Sequence, residues 1–396
     1  MNINQQSLQL HEKLHGKIEV VSRCALRSKE DLSLLYTPGV ARPCREIAED
    51  YDKSFQLTRR GNMVAVITDG SAVLGLGDIG PAAGMPVMEG KCILFKELAD
   101  VDAFPICIDT KDTDKLVETI ALISKSFGGI NLEDIAAPRC FEIERRLKER
   151  CDIPVFHDDQ HGTAIVVAAA LLNAIKVTGK KMGTLKIVIN GAGAAGSAIA
   201  NLLLGMKFGN VVLCDRQGII CRGDTNLTPE QERLSWVTNL DCEKGILADA
   251  MKGADVFIGV SRPNLVTAEM VSTMNRGIIF ALANPEPEIM PDEALKGGAI
   301  VVGTGRSDFQ NQINNVMVFP GIFKGVLSVQ AKEITESMKQ KAAYALAELV
   351  SEDRLSAECI LPSALEPGIA NAVAKVVAEE AIAQGIARIK QPHISM

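Results

Sequence analysis

The stretch Lys186–Leu204, KIVINGAGAAGSAIANLLL, decides the fold. It reads as a short β-branched strand, a glycine-rich turn and an apolar helix, in that order. Gly191, Gly193 and Gly196 fill the pattern G-x-G-x-x-G, with Ala192, Ala194 and Ala195 between them. The first glycine permits the tight turn, the second lets a pyrophosphate approach the backbone, and the third lets the helix pack on its strand. The helix start then offers unpaired N–H groups and a partial positive charge to the phosphates. Asp215 closes the next candidate strand, 19 residues past Gly196, where an acid can accept from the hydroxyls of the adenosine ribose. A glycine pattern alone also arises as a packing turn. Here the strand, the helix and the acid stand in register, and they point to a dinucleotide site. Asp215 favours NAD, because a ribose phosphate would sit against its charge. Arg216 beside it leaves room for NADP, since arginine pairs with that phosphate.

Working outward, short β-branched runs alternate with helical stretches from Lys186 onward, the signature of a parallel sheet with helices on its faces. The candidate strands are Lys186–Asn190, Val211–Asp215, Asp255–Val260, Ile278–Ala283 and Ala299–Gly303. Each is almost continuously apolar, as strands buried on both faces are. Ahead of them, GTAIVVAAALLNAIKVTG reads as an apolar helix that Gly179 terminates. The first part of the chain differs: a polar helical start, a turn at Pro38-Gly39, strand-like MVAVITDG and FPICIDT, and a helix over Pro138–Arg150 with proline in its first turn. After Phe319–Gly321 the pattern is helical. The expected class is α/β: a Rossmann-type doubly wound parallel sheet domain plus an α/β catalytic domain completed by C-terminal helices. The expected division is a catalytic domain over 1–157, a nucleotide domain over 158–314, and helices over 315–396 that return to the first domain.

Composition bounds the function. The 396 residues carry 42 basic and 49 acidic side chains, a net charge of −7, dispersed along the chain. No basic stripe suited to a phosphate backbone is present, so nucleic acid is not an expected partner. Ten cysteines are scattered without a C-x-x-C pair and read as thiols of a reducing compartment. The polar start MNINQQSLQLHEKLHG lacks the apolar core of a signal peptide. The longest apolar span, Ala164–Leu172, falls short of the roughly 20 residues of a membrane helix. The expectation is a cytoplasmic protein with no membrane partner.

The chemistry should lie ahead of the nucleotide domain. PVFHDDQHGTA (Pro154–Ala164) sets two acids between two histidines and superficially resembles a zinc peptidase motif. Such enzymes need both histidines one turn apart on a helix. Here His157 falls at a strand end, so that geometry is missing. Glu133 and Asp134, in GGINLEDIAAP, follow a short strand and can both turn toward one cleft; taken alone they also read as a helix-start charge pair. Carboxylates without cysteine are hard oxygen ligands, which suit Mg²⁺ or Mn²⁺.

Over nearly its whole length the chain resembles the short bacterial malic enzymes. The motifs that carry the likeness are YTPGVA at Tyr36, TDGSAVLGLGDIGPAAGMPVMEGK ending at Lys91, VDAFPICIDT, NLEDI, PVFHDDQHGTA, FALANPEPE at Asn284, and INNVMVFPG at Asn314–Asn315. The resemblance implies oxidative decarboxylation of L-malate to pyruvate and CO₂ with NAD(P) and a divalent cation. It assigns the metal to Glu133, Asp134 and Asp159, the general base to Lys91 and the general acid to Tyr36. Asp158 becomes a neighbour that orients the base, and Asn284 and Asn315 become polar groups around substrate and nicotinamide. It also implies a homodimer, with Tyr36 reaching a neighbouring subunit's site. A lysine acts as base only when neutral, so the expectation is that burial and a nearby dication lower its pKa from the free value of about 10.4. One departure stands out. Large malic enzymes carry a substrate-clamping arginine where this chain has Ala72, so Ser71, backbone N–H groups, Asn284 and Asn315 are expected to hold the substrate carboxylates.

The same site also suits oxaloacetate decarboxylation or malate-to-lactate conversion, and the sequence separates these poorly. From a different class, a zinc metallohydrolase built on HDDQH predicts hydrolysis without nicotinamide, and a non-enzymatic NAD sensor leaves the carboxylates unexplained.

Overall fold

A computed structural model describes residues 3–392. The first sheet holds β1 (Met63–Thr68), β2 (Asp102–Cys107), β3 (Gly129–Leu132) and β4 (Val155–His157), all parallel, in the order β2-β1-β3-β4. The second holds β5 (Leu185–Asn190), β6 (Gly209–Asp215), β7 (Gly218–Ile219), β8 (Val256–Gly259), β9 (Ile278–Ala281) and β10 (Val301–Thr304), in the order β10-β9-β8-β5-β6-β7. Counted from β7, this is the doubly wound order 3-2-1-4-5-6, whose crevice opens where the order reverses, between β5 and β8.

β7 departs from the all-parallel reading, because it pairs antiparallel with β6. Only Arg216 and Gln217 separate the two strands. A two-residue connection makes a hairpin, whereas a parallel neighbour needs a crossover of a dozen residues or more.

Side chains alternate across the second sheet. Ile187, Ile189, Val211, Leu213, Ile258 and Phe280 enter one core, and Val188, Val212, Phe257 and Ile279 enter another. Both faces are covered, which is why these strands are apolar throughout.

The apolar helix expected from Gly162 begins earlier and runs over Asp158–Thr178, ending at Gly179 with φ 68°. Its 21 residues make it long and apolar enough to cross a membrane, which the Ala164–Leu172 span alone did not suggest. Most of it is buried inside the protein, and Asn173 in its second half donates to the carbonyls of Ala347 (2.8 Å) and Ile360 (2.9 Å). Those contacts are the marks of a core helix.

The C-terminal helices Phe319–Ser328, Glu336–Glu348 and Ile369–Ala383 pack into the same core as the first sheet. Phe319 and Phe323 meet Phe95 at ring separations of 4.8 and 5.3 Å, and Phe323 meets Phe156 of β4 at 5.9 Å. At the other end, helices Ile3–Leu14, Lys29–Leu35 and Ala41–Glu49 contribute no buried residue.

Candidate active site

Strand register builds the site. β3 and β4 are parallel neighbours with Leu132 opposite His157, so the residues that follow emerge side by side at the same end of the sheet. Glu133-Asp134 leave β3, and Asp158-Asp159 open the long helix after β4. Asp134 adopts φ 53°, a left-handed conformation that aspartate tolerates better than most residues. Its backbone N–H donates to Asp159 Oδ2 at 2.8 Å. One oxygen each from Glu133, Asp134 and Asp159 lies within 4.8 Å of the others. That spread is comparable with the roughly 4 Å across an octahedral oxygen shell of radius ~2.1 Å.

Lys91 projects into this cluster from the helix Pro81–Ala99. Its Nζ lies 2.7 Å from Asp158 Oδ2, 2.9 Å from Glu133 Oε1 and 4.3 Å from the centre of the Phe319 ring. Burial works to lower the Lys91 pKa, but the charges of Asp158, Glu133 and Asp159 outweigh it and hold the ammonium above its ordinary value. The carboxylates by themselves thus shift Lys91 opposite to the expected direction, which counted on a dication beside it. Sequence reveals burial more readily than two carboxylates within 3 Å. Burial in turn pushes all four acids up, against the pull of Lys91, and Asp134 reaches about 8 with Asp159 and Glu133 adding to the effect.

The donor set fits a hard dication. Four acids face one ammonium, and Glu133 and Asp159 raise the pKa of their neighbours, a repulsion that a dication between them would relieve. Asp134 Oδ2 and Asp158 Oδ1 are buried without a hydrogen-bond partner, each a cost of about 1–3 kcal/mol or more. The Asp159 side chain is 33% exposed, so the cluster has an open side.

Other expected residues fall as follows. Asn315 is half-buried; a Cβ on Gly162 would lie 3.1 Å from its Cβ, which places Asn315 beside Asp158. Asn284 sits in the exposed loop after β9, where its carbonyl closely approaches Gly75 of the first domain. Tyr36 is 67% exposed, between two helices that contribute no buried residue. Ser71 is engaged elsewhere than with a substrate carboxylate. Its hydroxyl bonds Asp69, accepts from the Ala136 N–H (2.9 Å) and faces Arg139 Nη2 (3.2 Å). Arg139 also pairs with buried Asp69, locking the turn from which the Ala72 N–H donates to Asp134 O.

The two histidines of HDDQH form no ligand pair at the cluster: His157 Nδ1 lies 3.7 Å from Asp159 Oδ2, whereas His161 is engaged elsewhere. His161 Nε2 bonds Glu144 at 2.8 Å, and its Nδ1 faces Lys339 at 3.2 Å. His157 is fully buried, and its backbone N–H points to Glu144. Sequence reasoning missed Glu144, along with Asn131, whose amide donates to Glu133 Oε2 at 2.8 Å. It also missed Gly162, although a glycine in the first turns of a helix was a usable signal.

In the second domain, Gly191 has φ 114°, and a Cβ there would come within 2.6 Å of Val260 O. A Cβ on Gly196 would fall 1.8 Å from Gly191 O, so the helix packs directly on the turn. Gly193 has open space, as the approach of a pyrophosphate requires. Ala192 lies in the turn, Ala194 and Ala195 open the helix Ala194–Gly205, and Asp215 ends β6 with Oδ1 accepting from Gln217 N–H at 2.8 Å.

A dinucleotide-binding sheet beside a buried lysine ringed by carboxylates is the layout of a nicotinamide-dependent oxidoreductase. Comparison with known proteins narrows this. The family described as malic enzyme, N-terminal domain, matches residues 15–148, and malic enzyme, NAD binding domain, matches residues 160–382. The chain is 54% identical over 391 residues to the bifunctional malic/malolactic enzyme of Bacillus subtilis (strain 168), covering 98% of this chain and 95% of that one. It is 52% identical to the NAD-dependent malic enzyme of Geobacillus stearothermophilus, covering 98% and 81%. The crystal structure of malic enzyme from Pyrococcus horikoshii Ot3 superposes with a TM-score of 0.94 at 47% identity, covering 99% and 93%. The chain belongs to the malic enzyme family.

Proposed function

We propose that this chain catalyses oxidative decarboxylation of L-malate to pyruvate and CO₂ with reduction of NAD, NADP being tolerated. The observation that carries the reading is the meeting of Glu133, Asp134 and Asp159 within 4.8 Å of one another beside buried Lys91. Glu133, Asp134 and Asp159 would hold Mg²⁺ or Mn²⁺, which supplies Lewis-acid charge at the malate C2 oxygen. Lys91 would be neutral once a dication offsets the charge of the carboxylates around it, and it then takes the C2 hydroxyl proton as hydride leaves C2 for the nicotinamide. Asp158, 2.7 Å away, accepts that proton from Lys91 and fixes the direction of its Nζ. Asn284 and Asn315 orient the substrate and the nicotinamide amide. Tyr36 delivers a proton to C3 once the C4 carboxylate has left, a role that suits a phenol O–H. Its exposure in a single chain supports a homodimer in which Tyr36 serves the neighbouring site. The proposed location is cytoplasmic.

The malic/malolactic name of the Bacillus subtilis relative favours a second reading, malate-to-lactate conversion at the same residues. Incubation with L-malate, NAD and Mn²⁺, read by absorbance of reduced cofactor and by product identification, separates the two. Pyruvate formed in step with NADH supports the first. Lactate without net NADH supports the second, and absence of both products overturns the assignment.

A further inference from the structure

Glu288 has no role in the chemistry above, yet it is completely buried beside the cofactor crevice. Its two oxygens serve two different loops. Oε1 accepts the Ser261 N–H at 2.9 Å, in the loop after β8, and Oε2 accepts the Ala283 N–H at 3.1 Å, in the loop after β9. The Ser261 hydroxyl lies 3.4 Å from Oε1 and accepts from Asn190 Nδ2, at the end of β5, at 2.8 Å. Space for the carboxylate comes from Gly259, where a Cβ would fall 2.3 Å from Glu288 Cδ. No Lys, Arg or His pairs with it among the described residues, and burial pushes its pKa up against the pull of these N–H groups.

Both loops lead to groups already placed at the cleft. Val260-Ser261 pack on the dinucleotide turn, since a Cβ on Gly191 would meet Val260 O at 2.6 Å and Ser261 Cβ at 3.2 Å. Ala283 precedes Asn284, whose carbonyl lies against Gly75. These strand ends flank the point where the sheet order reverses, the place where a dinucleotide binds.

We infer that Glu288 is a positioning residue for the nicotinamide cofactor, a two-sided acceptor that holds the loops after β8 and β9 in the relation NAD requires. Only a carboxylate does this. A glutamine of the same shape keeps one acceptor, but its amide N–H₂ must face the other backbone N–H, donor against donor. A buried carboxylate is costly to keep without a cation, so a purely apolar contact would serve packing better. The inference rests on the NAD-dependent reading above, and its test separates the two.

The test measures NADH affinity of the full chain by fluorescence titration and Mn²⁺ affinity by electron paramagnetic resonance, for the native chain, Glu288→Gln and Glu288→Ala. Circular dichroism first establishes that each variant is folded. A native chain that binds no NADH refutes the NAD reading itself. Given native binding, the expected result is at least a tenfold loss of NADH affinity in folded Glu288→Gln, with Mn²⁺ affinity unchanged because its ligands lie on the other sheet. KM for NAD should rise more than kcat falls. NADH affinity within twofold of native in either folded variant overturns the inference. Failure of both variants to fold also overturns it, since Glu288 would then be a core residue alone.

Discussion

Replacing Gly162 by alanine tests whether the Lys91–Asp158 contact is set by packing. A Cβ at position 162 would lie 1.8 Å from Asp158 Oδ1 and 2.9 Å from its Cγ, with Asn315 Cβ at 3.1 Å on the other side. To reach even a tight contact of 3.0 Å, the carboxylate oxygen must retreat by about 1.2 Å, well beyond what a close-packed interior yields freely. Asp158 is fully buried, so it has no solvent to move into. Lys91 contacts the other oxygen, Oδ2, at 2.7 Å, but the carboxylate moves as one planar group, so that contact is displaced as well. Stability moves less than activity. Overpacking costs ~1–3 kcal/mol, while exchanging glycine for alanine within a helix contributes up to ~1 kcal/mol in the opposite sense. Misplacing a reacting group by about 1 Å costs roughly 100-fold in rate. The expected outcome is therefore a folded protein with kcat for malate oxidation reduced about 100-fold and NADH affinity unchanged, since the glycine turn lies on the other sheet. The assay is initial-rate NADH formation with Mn²⁺, beside a fluorescence titration of NADH. A kcat within threefold of the native value would refute the claim that Asp158 is fixed by the absence of a side chain at 162.

Lys91→Ala should abolish malate oxidation and leave NADH binding intact; loss of NADH affinity in that variant would count against the division of labour between the two sheets. Asp215→Ala should weaken NAD more than NADP, by about tenfold for one lost charge-assisted hydrogen bond, and an unchanged cofactor preference in steady-state assays would place specificity elsewhere. Asp159→Asn should lose most Mn²⁺ affinity in equilibrium dialysis while the fold persists, because its side chain is partly open to solvent; retained Mn²⁺ binding would break the three-carboxylate site. Mixing inactive Tyr36→Phe and Asp159→Ala chains should restore some activity if Tyr36 crosses to a neighbouring subunit. Re-formed dimers without activity would refute that arrangement.

Patterns local to the chain were readable without coordinates. KIVINGAGAAGSAIANLLL carries its own strand, turn and helix because glycine spacing and apolar runs act over a few residues, and the structure places β5, the turn and the helix Ala194–Gly205 there. The five apolar runs became β5, β6, β8, β9 and β10, shifted at their ends by up to two residues. β7 escaped notice, since two residues show no periodicity. The hydroxyl of Ser71 read as free for substrate, because nothing in TDGSA announces that Arg139, 68 positions later, closes on that turn.

By itself, then, the sequence determined the two kinds of αβ unit, the dinucleotide turn and the supply of oxygen ligands. Only the tertiary structure decided that Leu132 stands opposite His157, and so that Glu133, Asp134, Asp158 and Asp159 share one corner with Lys91. It alone decided that Lys91 sits within 3 Å of two carboxylates, that Gly162 makes room for Asp158, and that Tyr36 is exposed in this chain. The physical reason is range. Propensity and spacing act between near neighbours, whereas register between strands and the charges around a buried group depend on residues that folding brings together from far along the chain.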